Sequence, residues 1–208
     1  MSLGVIIFSR FNSTRLPGKA MIQINGKTLL ERVFERAKLI KGVDIIVLAT
    51  SSLSTDDILV DHLSDKEIKV FRGSLENVAD RALKACEFYN IDKFARVCGD
   101  RPFFDPNLVS SLIQKHKEFQ VDIATTTFPR TYPPGLTVEV LSTKVLREGL
   151  PKMKKEEKEH LTTYFYSNHH KYRIYNEPAP TDLNLEGLDL CVDDTRGLQR
   201  ARWISSRL

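Results

Sequence analysis

IIFSRFNSTRLPGKAM, residues 6–21, joins an apolar run to a turn that carries Arg10, Arg15 and Lys19 among Ser, Thr, Asn, Pro and Gly. The run begins at residue 3 and reads as a short buried strand, and the abrupt change to small polar and basic residues marks where the chain leaves the sheet. Outward from this stretch, apolar runs alternate with helical patterns: strand 3–8, helix 27–40, strand 44–50, helix 55–65, strand 68–71, helix 75–90 and strand 93–98. That alternation predicts an α/β fold, a mostly parallel sheet with helices on both faces. In the first helix Leu29, Leu30, Val33, Phe34, Ala37 and Ile40 recur at three-to-four spacing, so one side packs and the other is solvated. Ligands of such a sheet collect beyond the carboxyl ends of its strands, which is where the three cations stand.

Further along, Asp105 then Pro106 is an N-cap followed by a first-turn proline, opening a helix to about Phe119. A strand over VDIATTTF follows. From Pro129 the rhythm changes: a Pro/Gly-rich bend leads into the alternating strand of LTVEVLS, and PKMKKEEKEHLTTYFYSNHHK reads as a helix. The stretch from about 129 to 180 is therefore expected to be an excursion from a single domain spanning 1–208. LDLCV then reads as a buried strand and DTRGLQRARWISSRL as a last helix.

The 208 residues suffice for one substantial core, and no apolar run reaches membrane-spanning length. Leu3 to Phe8 is too short for a signal peptide and ends in the polar turn, so a cytoplasmic protein is expected. The formal charge of +4 is too small to argue for nucleic acid without a clustered patch, but suits an anionic small molecule. Cys86, Cys98 and Cys191 are odd in number, far apart and set in apolar surroundings, which favours buried thiols over disulfides or zinc.

NGKT at 25–28 looks like the end of a phosphate-binding P-loop, but the required first glycine would fall on Met21. The dinucleotide glycine pattern is missing after the first strand as well. A Ser/Gly-rich turn can still curl its N–H groups around a triphosphate while Arg and Lys contact the phosphates; the bland alternative is a solvated loop. Asp100 in VCGDRPFFDP and Asp193 in LCVDDT each follow an apolar run, so both should project at the edge that carries the basic turn. Two acids beside a polyphosphate suggest Mg²⁺. Asp194 reads better as the N-cap of the last helix than Asp193 does.

SRFNSTRLPGKAM, INGKTLLERV, VFRGSLENVADR, GDRPFFDP, PPGLTVEV, EHLTTYF and CVDDT occur here in the order found in the sugar cytidylyltransferases. The chain resembles that family from about residue 4 to 200, and in particular the branch of spore coat polysaccharide synthesis protein F. The resemblance implies a Rossmann-like nucleotide-diphospho-sugar transferase fold. It implies a homodimer, built through the excursion, that transfers CMP from CTP to a sugar or sugar acid with Mg²⁺ and releases pyrophosphate, in surface polysaccharide or glycan precursor synthesis. Phe8, Ser9, Arg10, Ser13, Arg15 and Lys19 match its triphosphate turn. Arg72 and Ser74 match a segment that helps hold base and ribose, and Asp80 with Arg81 matches its DR pair. Asp100 and Asp193 match the metal carboxylates, and Glu139, Glu159 and His160 fall in segments matching the sugar side and dimer contact. Arg101 departs from the family pattern, so altered charge near the metal is expected; DTRG at 194–197 departs as well, which bears on a second carboxylate role for Asp194. Use of another NTP, or nucleotide binding without catalysis, are the alternatives. The pair His169–His170, the aromatic run Tyr164–Tyr166 and the arginines of the last helix read as helix-end, packing and solvated or interface residues.

Overall fold

The structure is a computed structural model and describes residues 2–64, 68–182 and 185–207. In chain order it contains β1 (Leu3–Phe8), β2 (Gln23–Ile24), β3 (Lys27–Thr28), α1 (Leu29–Ala37), β4 (Ile45–Ser51), α2 (Asp57–Leu63), β5 (Lys69–Gly73), α3 (Val78–Phe88), β6 (Lys93–Cys98) and α4 (Pro106–Glu118). These are followed by β7 (Ile123–Thr125), β8 (Glu139–Ser142), α5 (Thr143–Gly149), α6 (Lys155–Glu159), α7 (Thr163–Ser167), β9 (Ile174–Asn176) and α8 (Thr195–Ser205). The expected end of the second helix at 65 lies outside the described residues, as does residue 208.

Seven strands form one sheet in the order β5-β4-β1-β6-β8-β7-β9, parallel except that β8 runs against both neighbours. The chain winds outward from β1 through β4 to β5, then returns to β6 on the other side of β1. This reversal leaves a crevice beyond the carboxyl ends of β1 and β6. Alternate residues feed two cores. Val5, Ile7, Leu48, Ala95 and Val140 face α1, α2 and α4, whereas Ile6, Val47, Phe94, Ile123 and Leu141 face α3, α5 and α7. Each fully buried Leu, Ile or Phe contributes about 1.5–3 kcal/mol, so the two layers supply most of the stabilisation.

Three segments depart from the sequence expectation. Lys27 and Thr28 do not open the first helix but pair with Gln23 and Ile24 in a hairpin, since Asn25 and Gly26 both take positive φ, 46° and 78°, as a tight I′-type turn needs. Thr28 then caps α1, with its hydroxyl accepting from Glu31 N while Glu31 accepts from Thr28 N. The expected long helix at 151–171 breaks into α6, α7 and short 3₁₀ turns. LDLCV is not a sheet strand. Its backbone bridges two loops instead, Leu190 N donating to Pro134 O at 2.8 Å and Val192 N to Asp100 O at 2.8 Å, with no ladder partner among the described residues. Within 129–180, β8 and β9 belong to the main sheet.

Candidate active site

The turn after β1 is tied down from below. Asp56, buried at 1% exposure, accepts from Phe11 N at 2.7 Å through one oxygen. Its other oxygen accepts from the Thr50 hydroxyl (2.7 Å), Ser51 N (2.9 Å) and the Ser51 hydroxyl (2.6 Å). Burial works against its charge, but these donors hold its carboxyl below the usual carboxylate range. The turn closes on itself through Gly18 N to Phe11 O at 3.0 Å, with Gly18 at φ 69°, and delivers Lys19 into the crevice.

Opposite Lys19 stand the two acids. Gly99 brings β6 against the turn, with Gly99 N donating to Phe8 O at 2.8 Å; a Cβ on Gly99 would lie 2.7 Å from Ser9 Cβ, so only glycine permits this approach. Asp100 follows. Its carbonyl accepts from Val192 N, and this contact places Asp193 beside it. Gly197 packs against Cys191 O in the same way that Gly99 packs on the turn, seating α8 under Asp193.

The result is a clasp: Lys19 Nζ lies 2.8 Å from Asp100 Oδ2 and 2.8 Å from Asp193 Oδ1. Arg15 reaches Asp193 at 2.9 Å, but its side chain is 68% exposed against 15% for Lys19. The Arg15 bridge is therefore strongly screened and the Lys19 bridges dominate. Burial disfavours the Lys19 ammonium, yet the two carboxylates raise its pKa above the usual lysine value. Burial likewise opposes ionisation of Asp193, and Lys19 with Arg15 overcomes it and holds the carboxyl below its usual range. Lys19 and Asp193 therefore face each other as ions at neutral pH.

Around the clasp is a cavity of about 310 Å³. Phe8, Ser9, Arg10, Ser13, Arg15 and Lys19 line one wall, Leu75, Val78 and Arg81 a second, and Arg96, Cys98, Asp100, Glu159, His160 and Asp193 the remainder. A second hollow of about 620 Å³ adjoins it across Arg10, Leu75 and Glu159, between residues 74–77 and α6. Arg81 is 4% exposed, donates to Ser74 O at 2.5 Å and lies 5.9 Å over the Phe8 ring. Burial, together with the nearby Arg10 charge, pushes its pKa down to about 10. It fixes the loop between the two hollows.

The structure thus gathers the basic turn, Arg81, both acids, Glu159 and His160 around one cavity, with Ser74 on the adjoining one. Arg72 is elsewhere: it donates to Ser51 O and Leu53 O and pairs with Asp57. Asp80 pairs with Lys84 at 2.9 Å along α3, and Glu139 stands behind Arg96 without lining the cavity. The Arg101 guanidinium donates to Thr137 O and the Thr137 hydroxyl, and its buried charge still interacts with Asp100. Asp194 caps α8, accepting from Gly197 N at 2.8 Å. Sequence reading passed over Asp56 and Arg96. The cluster TSSLSTDD hinted at a hydrogen-bonded turn around Asp56, while Arg96 inside a strand gave no local signal.

A cytidylyltransferase family model matches residues 4–193. The chain belongs to this cytidylyltransferase family. It is 34% identical over 194 residues to the spore coat polysaccharide biosynthesis protein SpsF of Bacillus subtilis (strain 168), covering 90% of this chain and 80% of that protein. To the 3-deoxy-manno-octulosonate cytidylyltransferase of Syntrophotalea carbinolica it is 28% identical over 113 residues, covering 54% of this chain and 44% of the relative. A solved cytidylyltransferase from Leptospira borgpetersenii superposes with a TM-score of 0.93 at 26% identity, covering 100% of this chain and 88% of that one. The fold is that of the nucleotidyltransferases. For this cytidylyltransferase-family chain, no helix among the described residues is long and apolar enough to cross a membrane.

Proposed function

We propose that the chain catalyses Mg²⁺-dependent transfer of CMP from CTP to a sugar or sugar-acid hydroxyl, releasing pyrophosphate, as a step in the cytoplasmic supply of surface polysaccharide precursors. The observation that carries this reading is the clasp of Lys19 with Asp100 and Asp193 beneath the Arg10–Arg15 turn. Two carboxylates already converging on one cation at 2.8 Å each are the hard oxygen donors that Mg²⁺ takes alongside phosphate oxygens, so the residues fit this metal. Bound there, Mg²⁺ would neutralise phosphate charge.

The acceptor hydroxyl gives up its proton to solvent as its oxygen forms a bond to the α-phosphorus in line and the bond to the pyrophosphate oxygen breaks. Lys19, Arg10 and Arg15 stabilise the negative charge that grows on the leaving pyrophosphate. The N–H groups of the turn are held in place by Asp56 and orient the nucleotide without reorganisation during reaction. A second copy docking through residues 129–180 makes the homodimer; β9, the last strand of the sheet, has an edge with no strand partner among the described residues, in support. Light scattering on the purified protein measures that mass.

Pyrophosphate release from ATP, GTP, CTP and UTP tests the reaction, with octulosonate and nonulosonate acceptors, Mg²⁺ or EDTA, and Asp100→Ala as control. Release with CTP alone, lost in EDTA and in the variant, is the expected result. Equal release from all four nucleotides, or release that survives EDTA and Asp100→Ala, would refute it.

A further inference from the structure

The end of the sheet away from the clasp holds a hollow of about 780 Å³, larger than either of the two beside the clasp. It lies between α4 and the first residues of β1 and β6, where Leu3 and Lys93 pair in register. The length of β1, Leu3–Phe8, separates it from the catalytic cavity by about 17 Å, at roughly 3.3 Å per residue. Among the described residues none lines both. A hollow of this size falls in the range of small-molecule sites, roughly 300–1,000 Å³.

Its lining is basic. Lys41 from the bend after α1, Lys93 from β6 and Lys117 from α4 all border it, and among the described residues none of the three pairs with a carboxylate. The acid of the lining, Asp44, is already engaged, its Oδ2 accepting from Leu3 N at 2.8 Å. Three cations around one hollow repel one another, so the fold gains nothing from gathering them there. Along α4, Asn107, Ser111, Gln114 and Lys117 follow at helical spacing and add amide and hydroxyl groups to the wall. His116, only 2% exposed, borders the hollow as well. Burial, together with the Lys93 charge, pushes its pKa down to about 4, so the ring is neutral at pH 7. A neutral ring facing a carbonyl donates to it, here Nε2 to Asp122 O at 3.4 Å, which leaves Nδ1 as a buried acceptor with no partner among the described residues. Native interiors rarely keep such a group unanswered.

We propose that this hollow binds a phosphorylated sugar, either free or as the ribose phosphate of a nucleotide, at a site separate from the catalytic cavity. The lysine ammonium groups take the phosphate as charge-assisted donors. The α4 stripe takes the sugar hydroxyls, and His116 Nδ1 accepts from one of them. Inorganic phosphate answers the lysines alone, and a neutral sugar answers only the amides and the imidazole.

The test is NMR titration of the ¹⁵N-labelled full chain with ribose 5-phosphate, glucose 1-phosphate, CMP, inorganic phosphate and ribose. At least one of the three phosphorylated sugars shifts the amide signals of Lys93, Ser111 and Gln114 and the imidazole signals of His116, with a Kd that Lys19→Met leaves unchanged. Which of the three binds tells a free sugar phosphate from a nucleotide. Inorganic phosphate binds on the order of 10-fold more weakly and ribose not at all, since each lacks one set of contacts. Lys41 and Lys117 are exposed, so Lys41→Gln/Lys117→Gln keeps the fold, and it weakens binding on the order of 10-fold. No shift at Lys93 and His116 with any phosphorylated sugar would overturn the proposal. So would ribose or inorganic phosphate binding as tightly as the sugar phosphates, an affinity unchanged in the lysine variant, or loss of the shifts in Lys19→Met, which would move the binding to the catalytic cavity.

Discussion

On one side of the crevice, β1 and β4 are apolar along most of their length and the chemistry is confined to the turn that follows β1; on the other, β6, β8 and β7 carry ions and hydroxyls in mid-sheet. The first side is assembled locally. Arg10, Arg15 and Lys19 lie within one turn, which Asp56 anchors from the 3₁₀ turn after β4. The second side is assembled at long range, from Arg96, Thr125, Glu139 and Tyr166, which meet only because the sheet pairs β6 with β8 and β8 with β7. The contrast teaches that one half of the crevice is built from a local turn and the other into the core of the sheet.

This difference can be broken at several points. Glu139→Ala leaves Arg96 buried without its counter-ion, and thermal or denaturant unfolding should show a loss of about 3–5 kcal/mol, the largest stability effect predicted. Lys19→Met should leave the fold intact but lower kcat on the order of 10²–10³-fold in the pyrophosphate assay, as loss of a preorganised electrostatic stabiliser does. If instead Lys19→Met unfolds the protein while Glu139→Ala is harmless, the assignment of the two halves is reversed.

Smaller effects sharpen the comparison. Asp56→Asn should cost about 1–3 kcal/mol by weakening charge-assisted hydrogen bonds to buried donors. Because folding lowers the Asp56 pKa, its contribution is fully present above the ordinary carboxylate value of 3.8 and is lost as the pH falls through the lower folded value. Denaturant titrations from pH 6 down to the acid limit should therefore show the wild type and Asp56→Asn converging only at the acid end. Asp194→Ala removes the α8 cap and should cost about 1 kcal/mol with little change in kcat, since that carboxylate is turned to Gly197 N and away from the clasp.

What could be read beforehand follows the same division. The alternation of apolar runs and amphipathic helices revealed the parallel half because each element there carries its own periodicity, as Leu30, Val33 and Phe34 do in α1. The hairpin at 23–28 was signalled by Asn25-Gly26, but its two-residue strands are too short to show an alternating pattern beside the helix that follows. Leu188–Val192 looked like a strand because apolar residues in a row signal burial and not pairing; the segment is held by single bonds to Pro134 and Asp100. Asp100 and Asp193 could be expected at one edge, yet their convergence on Lys19 depends on Gly99 and on the Val192–Asp100 contact. Arg96 was silent because a charged residue in mid-strand carries no signal until its cross-strand partner is known.

The central claim is that the clasp is where Mg²⁺ and the CTP triphosphate meet. Calorimetric titration of CTP into wild-type protein and into Asp100→Asn/Asp193→Asn, each with and without Mg²⁺, tests it most directly. Tight binding to the wild type that needs Mg²⁺, together with a variant whose CTP affinity no longer responds to the metal, is the predicted result. An equal response to Mg²⁺ in both proteins would contradict it.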